Sequence, residues 1–171
     1  MNNFLKRFIV LISAIILVSC ISNFFGDGPP RIIKKASTKD AIPRSEPLSK
    51  YGNGDKNGYY EVRGKRYRVM PSARNYSATG IASWYGTKFH GRYTSNREIY
   101  NIYAMTAAHK SLPLPTYLEV TNIENNKKVI VRVNDRGPFI DDRLIDLSYA
   151  AALKLDVVKN GTAQVLSLIH I

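Results

Sequence analysis

From Val129 to Asn134 the chain alternates with a period of two: Val129, Val131 and Val133 share one face, Ile130, Arg132 and Asn134 the other. This is the pattern of a half-buried strand. Asp135 continues the valine row just before Gly137-Pro138 ends it, so its carboxylate is expected at the rim of a hydrophobic core. Residues 117–122 supply an antiparallel partner, with Asn125-Asn126 as the turn of the clearest hairpin in the chain. A second hairpin is predicted upstream, where 59–62 and 67–70 flank Arg63-Gly64-Lys65-Arg66. Residues 80–86 read as a short strand ending in Trp84, Tyr85 and a glycine. Alanine-rich residues 146–155, with Asp146 or Ser148 as N-cap, predict a short helix that stops before Asn160-Gly161. Residues 162–171 read as a last strand. The polar, turn-rich stretch 86–101 has no period and is expected to be a long functional loop.

The first fifty-seven residues follow another logic. Lys6 and Arg7 precede an apolar run, Phe8 to Val18, that is too short to cross a bilayer comfortably and has a signal-peptide layout. Residues 21–57 carry Pro29-Pro30, Pro43, Pro47, Gly52 and Gly54 without a sustained apolar face, which predicts a flexible tether.

Composition narrows the class. The 171 residues, 44% of them hydrophobic, suffice for one globular domain with appendages. Cys20 is the single cysteine, so no intramolecular disulfide is possible. Histidines at 90, 109 and 170 lack metal-ligand spacing, and neither a metal nor a cofactor is expected. The formal charge is +12, and the basic excess sits ahead of the folded part: residues 21–80 hold twelve Lys/Arg against five Asp/Glu, residues 81–171 eleven against eight. Such a segment suits anionic lipid or an anionic wall polymer. No nucleic-acid motif accompanies it, and no nucleic-acid partner is expected.

Candidate chemistry rests on few residues. Asp135 reads either as a general acid at the core rim or as a carboxylate that shapes its own turn. Glu98 reads as a loop charge or a site residue, and His109 as a structural or a functional imidazole. Trp84 and Tyr85 fall on opposite faces of a regular strand, so one is expected in the core and the other available to stack on a sugar ring.

Gly80-Ile81-Ala82-Ser83-Trp84-Tyr85-Gly86, Phe89-His90-Gly91-Arg92, Thr106-Ala107-Ala108-His109-Lys110, Leu112-Pro113-Leu114-Pro115, Val133-Asn134-Asp135-Arg136-Gly137-Pro138-Phe139 and Ile145-Asp146-Leu147-Ser148-Tyr149-Ala150-Ala151 together resemble the rare lipoprotein A family. The resemblance implies an all-β fold, a six-stranded double-psi β-barrel with a short helix, over residues 80–171. It places the segment often found ahead of the barrel at 58–79, after a signal peptide at 1–19 and a tether at 20–57. It implies a lytic transglycosylase that cuts peptidoglycan glycan strands, chiefly strands stripped of peptide, and leaves anhydro-muramyl ends. The family's functional positions fall on Glu98, His109 and Asp135. The expectation is Asp135 as acid and then base, Glu98 as electrostatic partner, and His109 binding sugar hydroxyls or tuning a carboxylate. Trp84, Tyr85, Asn101 and Arg136 are expected to contact substrate. Arg97 stands where glycine is usual, and Asn101 where aspartate is usual. These two departures keep a second reading open, a peptidoglycan-binding lipoprotein with a silent barrel. Expansin-like loosening of wall polymers is a third. Many members of that family continue past the last barrel strand into a SPOR domain that recognises peptide-free glycan at division sites; without it, septal targeting is not assumed.

Leu17-Val18-Ser19-Cys20 also resembles the lipobox of bacterial lipoproteins. It implies lipidation of Cys20, a membrane anchor and, with Ile21 rather than Asp after the cysteine, an outer-membrane location facing the periplasm.

Overall fold

The computed structural model describes residues 27–30, 36–37, 39–140 and 142–169; the expected signal peptide, Cys20 and His170 lie outside the described residues. Strands β1 (Tyr59–Val62) and β2 (Lys65–Arg68) form a hairpin ahead of the barrel. Arg63 and Gly64 both have positive φ, 53° and 75°, so the turn is the tight two-residue kind that matches strand twist. Lys65 and Arg66 therefore belong to the strand and not, as expected, to the turn.

Six strands then close a barrel: β3 (Ser77–Trp84), β4 (Thr106–His109), β5 (Thr116–Asn122), β6 (Lys128–Asp135), β7 (Arg143–Leu147) and β8 (Thr162–Ile169). Around the wall they run β3-β7-β4-β6-β5-β8. The β3–β7 and β4–β6 pairs are parallel, and the other contacts are antiparallel. This crossed, closed order is the double-psi β-barrel. Val129, Val131 and Val133 point into it, fully buried with Leu118, Val120, Ile145, Leu147 and Val165. Each side chain taken from water contributes about 1.5–3 kcal/mol, which fixes the register of β6 against slippage. Helix α1 (Tyr149–Lys154) starts at Ser148, whose hydroxyl accepts the Ala151 amide at 3.2 Å. Its alanines, Ala150 to Ala152, pack into the same core.

Residues 39–57 are not the flexible tether that their composition suggests. The Ala41 amide donates to the Ile130 carbonyl at 2.9 Å, and Asp40 accepts from the Ile130 amide at 3.0 Å and from Lys154 at 2.8 Å. Further on, the Ser49 amide donates to the Leu114 carbonyl at 2.8 Å, and Asn53 receives the Leu114 amide at 2.7 Å while donating to the Leu114 carbonyl at 2.9 Å. The segment is laid along the barrel by single polar contacts to the backbone. Such contacts leave no apolar period in the sequence.

Candidate active site

The site forms where the ends of β4 and β6 meet the loop 86–101. Between β4 and β6 the register slips by one residue: Val133 pairs with Ala107, but Asp135 pairs with Ala108. A slip of this kind is a bulge, and it re-aims the side chain that follows. Asp135 thus leaves the valine row instead of standing at the core rim, and reaches the same loop as Arg132 and Asn134. One of its oxygens, Oδ1, accepts the Ser95 amide at 2.8 Å, the Ser95 hydroxyl at 2.6 Å and the Arg136 amide at 2.7 Å. Oδ2 has no hydrogen-bond partner among the described residues.

Residues 94–98 make a tight reversal, with the Thr94 amide bonded to the Glu98 carbonyl at 2.8 Å and the Arg97 amide to the Thr94 carbonyl at 2.9 Å. Arg97 sits at φ 70°, a left-handed conformation that costs a residue with a Cβ about 1–2 kcal/mol. The reversal holds Glu98 in place. Its Oε1 accepts from Asn96 Nδ2 at 2.9 Å, and its Oε2 from Arg132 at 2.7 Å and Asn134 at 2.8 Å. Burial pushes the Glu98 pKa up, but the hydrogen bonds from Arg132 and Asn134 outweigh it and hold the carboxyl below its ordinary value. Glu98 is therefore an anion at neutral pH. Consecutive loop residues, Ser95 and Asn96, hold the two carboxylates.

Arg132 is shared. Its Nε and second guanidinium nitrogen donate to Glu46 at 3.0 and 2.8 Å, and Glu46 also receives Arg44 at 3.1 Å and the Tyr117 hydroxyl. These bonds, Arg132's foremost, overcome burial and bring the Glu46 pKa down to about 2.

His109 is buried and fully engaged. Its Nδ1 accepts the Ser111 and Leu112 amides, each at 3.1 Å, so the proton of the neutral ring lies on Nε2 and is donated to Tyr76 Oη at 2.9 Å. Burial, with the nearby charges of Arg136 and Lys110, pushes its pKa down to about 3. No nitrogen of His109 is left for a sugar hydroxyl or a carboxylate. Its work in this structure is to hold the turn after β4.

The residues expected to contact substrate divide. Tyr85 is the core member of the aromatic pair, stacked on Tyr100 at 4.2 Å, and offers no face to a sugar. Trp84 is half-buried and lies edge-on to Tyr149 at 5.6 Å. Arg136 is buried because its guanidinium satisfies carbonyls inside the protein: Gly52 at 2.6 Å, His109 at 3.1 Å and Leu112, with Asn53 Oδ1 at 3.1 Å. It clamps segments together where a substrate contact was expected. Asn101 is exposed and accepts the Tyr103 amide at 3.0 Å, a turn-forming bond that aspartate makes equally well.

Beside Ser95 and Arg136 opens a cavity of about 300 Å³, walled by Tyr60, Val62 and Phe139. A larger one, about 650 Å³, lies between residues 43–48 and Tyr117 and is lined by none of Glu98, His109 and Asp135. Among the described residues no group of three or more His, Cys, Asp or Glu is placed to hold a metal. Sequence reasoning passed over Glu46, Ser95 and Asn96. Arg132 and Asn134 were marked only by standing on the outward row of β6.

The family model described as lytic transglycolase matches residues 77–167. The chain is 58% identical over 127 residues to the endolytic peptidoglycan transglycosylase RlpA of Vibrio cholerae, covering 74% of this chain and 47% of that protein. It is 58% identical over 124 residues to the protein of the same description from Pseudomonas aeruginosa, covering 72% and 36%. Against that of Neisseria meningitidis serogroup A it is 51% identical over 131 residues, covering 77% and 53%. The chain spans about half the length, or less, of these curated relatives.

Proposed function

Because this chain belongs to the lytic transglycolase family of double-psi β-barrels, we propose that it cleaves peptidoglycan glycan strands between N-acetylmuramic acid and N-acetylglucosamine, on strands freed of peptide. Asp135 gives a proton to the leaving glycosidic oxygen, and the C1–O bond breaks through an oxocarbenium-like state. The C6 hydroxyl of the muramic ring attacks C1 and returns its proton to Asp135, which closes a 1,6-anhydro ring without water as nucleophile. Glu98, held ionised, faces the positive charge as it develops.

One observation supports this reading: Asp135 binds three donors with Oδ1 while Oδ2 has no hydrogen-bond partner among the described residues, so the carboxyl is fixed in orientation with one oxygen left for a substrate. The test is mass analysis of products after the full chain is incubated with peptide-free glycan. Wild-type protein is expected to generate anhydro-muramyl ends, and Asp135→Asn to lose about 10²–10⁴-fold in rate while still folding. Wild-type rates in Asp135→Asn overturn the assignment. The neutral amide of Asn101, at a position where the family resemblance implies aspartate, favours the second reading of a glycan-binding protein. Retention of glycan by a wild-type chain that makes no anhydro ends would establish it.

We further propose that lipid on Cys20 anchors the protein to the outer membrane, facing the periplasm. The basic pair Lys6-Arg7, the apolar run after it and Leu17-Val18-Ser19-Cys20 support this location.

A further inference from the structure

Glu98 is an awkward group to stabilise a cation. Arg132 lies 2.7 Å from it and carries the opposite charge, so a Glu98–Arg132 pair by itself is neutral and offers a developing oxocarbenium ion only a dipole. The structure resolves this with a third member. Glu46 takes Arg132 from the other side through two parallel hydrogen bonds, the fork geometry that fixes a guanidinium plane. The three inner groups carry two negative charges and one positive; the fourth, Arg44 at 3.1 Å from Glu46, keeps 70% of its side chain in solvent, where water screens it, so the inner cluster stays negative on balance. Glu46 comes from the segment ahead of the hairpin, eighty-six residues from Arg132, and is itself fastened by Tyr117 and Arg44.

We propose that Glu46 is a positioning residue for glycan cleavage: it holds Arg132 against Glu98 and keeps the cluster net negative beneath the developing cation. This rests on the transglycosylase reading for its catalytic part. Charged groups around the cluster are few. Arg132 faces Glu98 from β6, where Asn134 beside it is uncharged; within the loop Asn96 is neutral and Arg97 is turned over the Tyr51 ring at 5.3 Å. Asp135 is held one residue away, at Ser95. On the far side Glu46 meets Arg44 and Tyr117.

Glu46→Gln removes the charge and keeps an acceptor for Arg132. Arg132 then answers to Glu98 alone, so protonation of Glu98 becomes harder and its midpoint moves to lower pH. With the cluster neutral, kcat on peptide-free glycan falls about tenfold, KM changes little, and the acid limb of the kcat profile moves down in pH. Simple loosening of the segment does not produce this pair of effects: it frees Glu98 from Arg132 and moves the limb up. Tyr117→Phe serves as the control, because it unfastens Glu46 without changing charge.

The experiment follows the carboxyl carbon of Glu98 by NMR across pH in the full chain labelled at glutamate, for wild type, Glu46→Gln and Tyr117→Phe, beside the kcat profiles. A downward midpoint in Glu46→Gln that Tyr117→Phe does not share supports the proposal. An unmoved or raised Glu98 midpoint, or the same shift in both variants, overturns it. Absence of anhydro ends from wild type defeats the transglycosylase reading separately, and the NMR midpoints still decide whether Glu46 governs Glu98.

Discussion

Tyr76 accepts the Nε2 proton of His109 at 2.9 Å and completes the burial of an imidazole that stays neutral far below its ordinary pKa. The ordinary value is 6.5 and the folded one about 3. Between them the unfolded chain takes up a proton that the folded one refuses. Stability from this group is therefore whole above pH 6.5 and drains as pH falls, by about 1.4 kcal/mol per unit. His109→Asn supplies an oxygen to the Ser111 and Leu112 amides in place of Nδ1. It should unfold at a lower temperature at pH 7.5, yet lose less stability than wild type between pH 6.5 and 4. Parallel pH curves for the two proteins would contradict the burial argument.

At Arg97 the backbone asks for glycine. Arg97→Gly relieves a left-handed Cβ and gives up a cation–π contact with Tyr51 at 5.3 Å. The first is worth about 1–2 kcal/mol and the second about 0.5–1 at an exposed site. Urea titration should show a net gain of about 0.5 kcal/mol. A loss would mean that the Tyr51 stack outweighs the strain.

Deleting residues 39–57 should lower the melting temperature by on the order of 10 °C, although these residues bury little apolar surface. The cause is Arg136, which loses Gly52 and Asn53 as acceptors while remaining inside the protein. Stripping partners from a buried charge costs about 3–5 kcal/mol, at about 2–4 °C per kcal/mol for a chain of this size. Thermal unfolding of the two chains side by side measures it; coincident curves would return the segment to the role of a tether.

Cys20→Ser should yield an unlipidated precursor that leaves the membrane fraction. Fractionation followed by mass measurement of the N-terminus reads both effects. A mutant that sediments with membranes as before would dispose of the lipid anchor.

Elements ruled by local period were legible in the sequence. The Val129–Val133 row and the turn at Asn125-Asn126 need only their own neighbours and stand where the pattern predicts; of the two caps expected for the helix, Ser148 is the one used, while Asp146 and Leu147 belong to β7. Asp135 shows where that reasoning stops. Its face depends on a bulge opposite Ala107 and Ala108, which belong to a strand more than twenty residues earlier, and a period-two count along β6 runs straight past it. Glu46 was illegible for a related reason: its meaning lies in Arg132, and a lone glutamate among prolines carries no periodic mark. Tyr85 and Arg136 misled because aromatic and cationic side chains serve sugar binding and internal packing alike.

Strand β3 has only β7 and β8 for neighbours in the barrel wall. A polypeptide that leaves a ribosome or a translocation pore N-terminus first therefore presents Ser77–Trp84 with no ladder partner until Arg143–Leu147 has appeared, and with one bare edge until Thr162–Ile169 follows. The hairpins β1–β2 and β5–β6 can pair as they appear, but the barrel cannot close before nearly the whole domain is out. Synthesis of this fold is thus the delivery of an open chain, and for that interval the segment that later carries Trp84 keeps its edges unpaired.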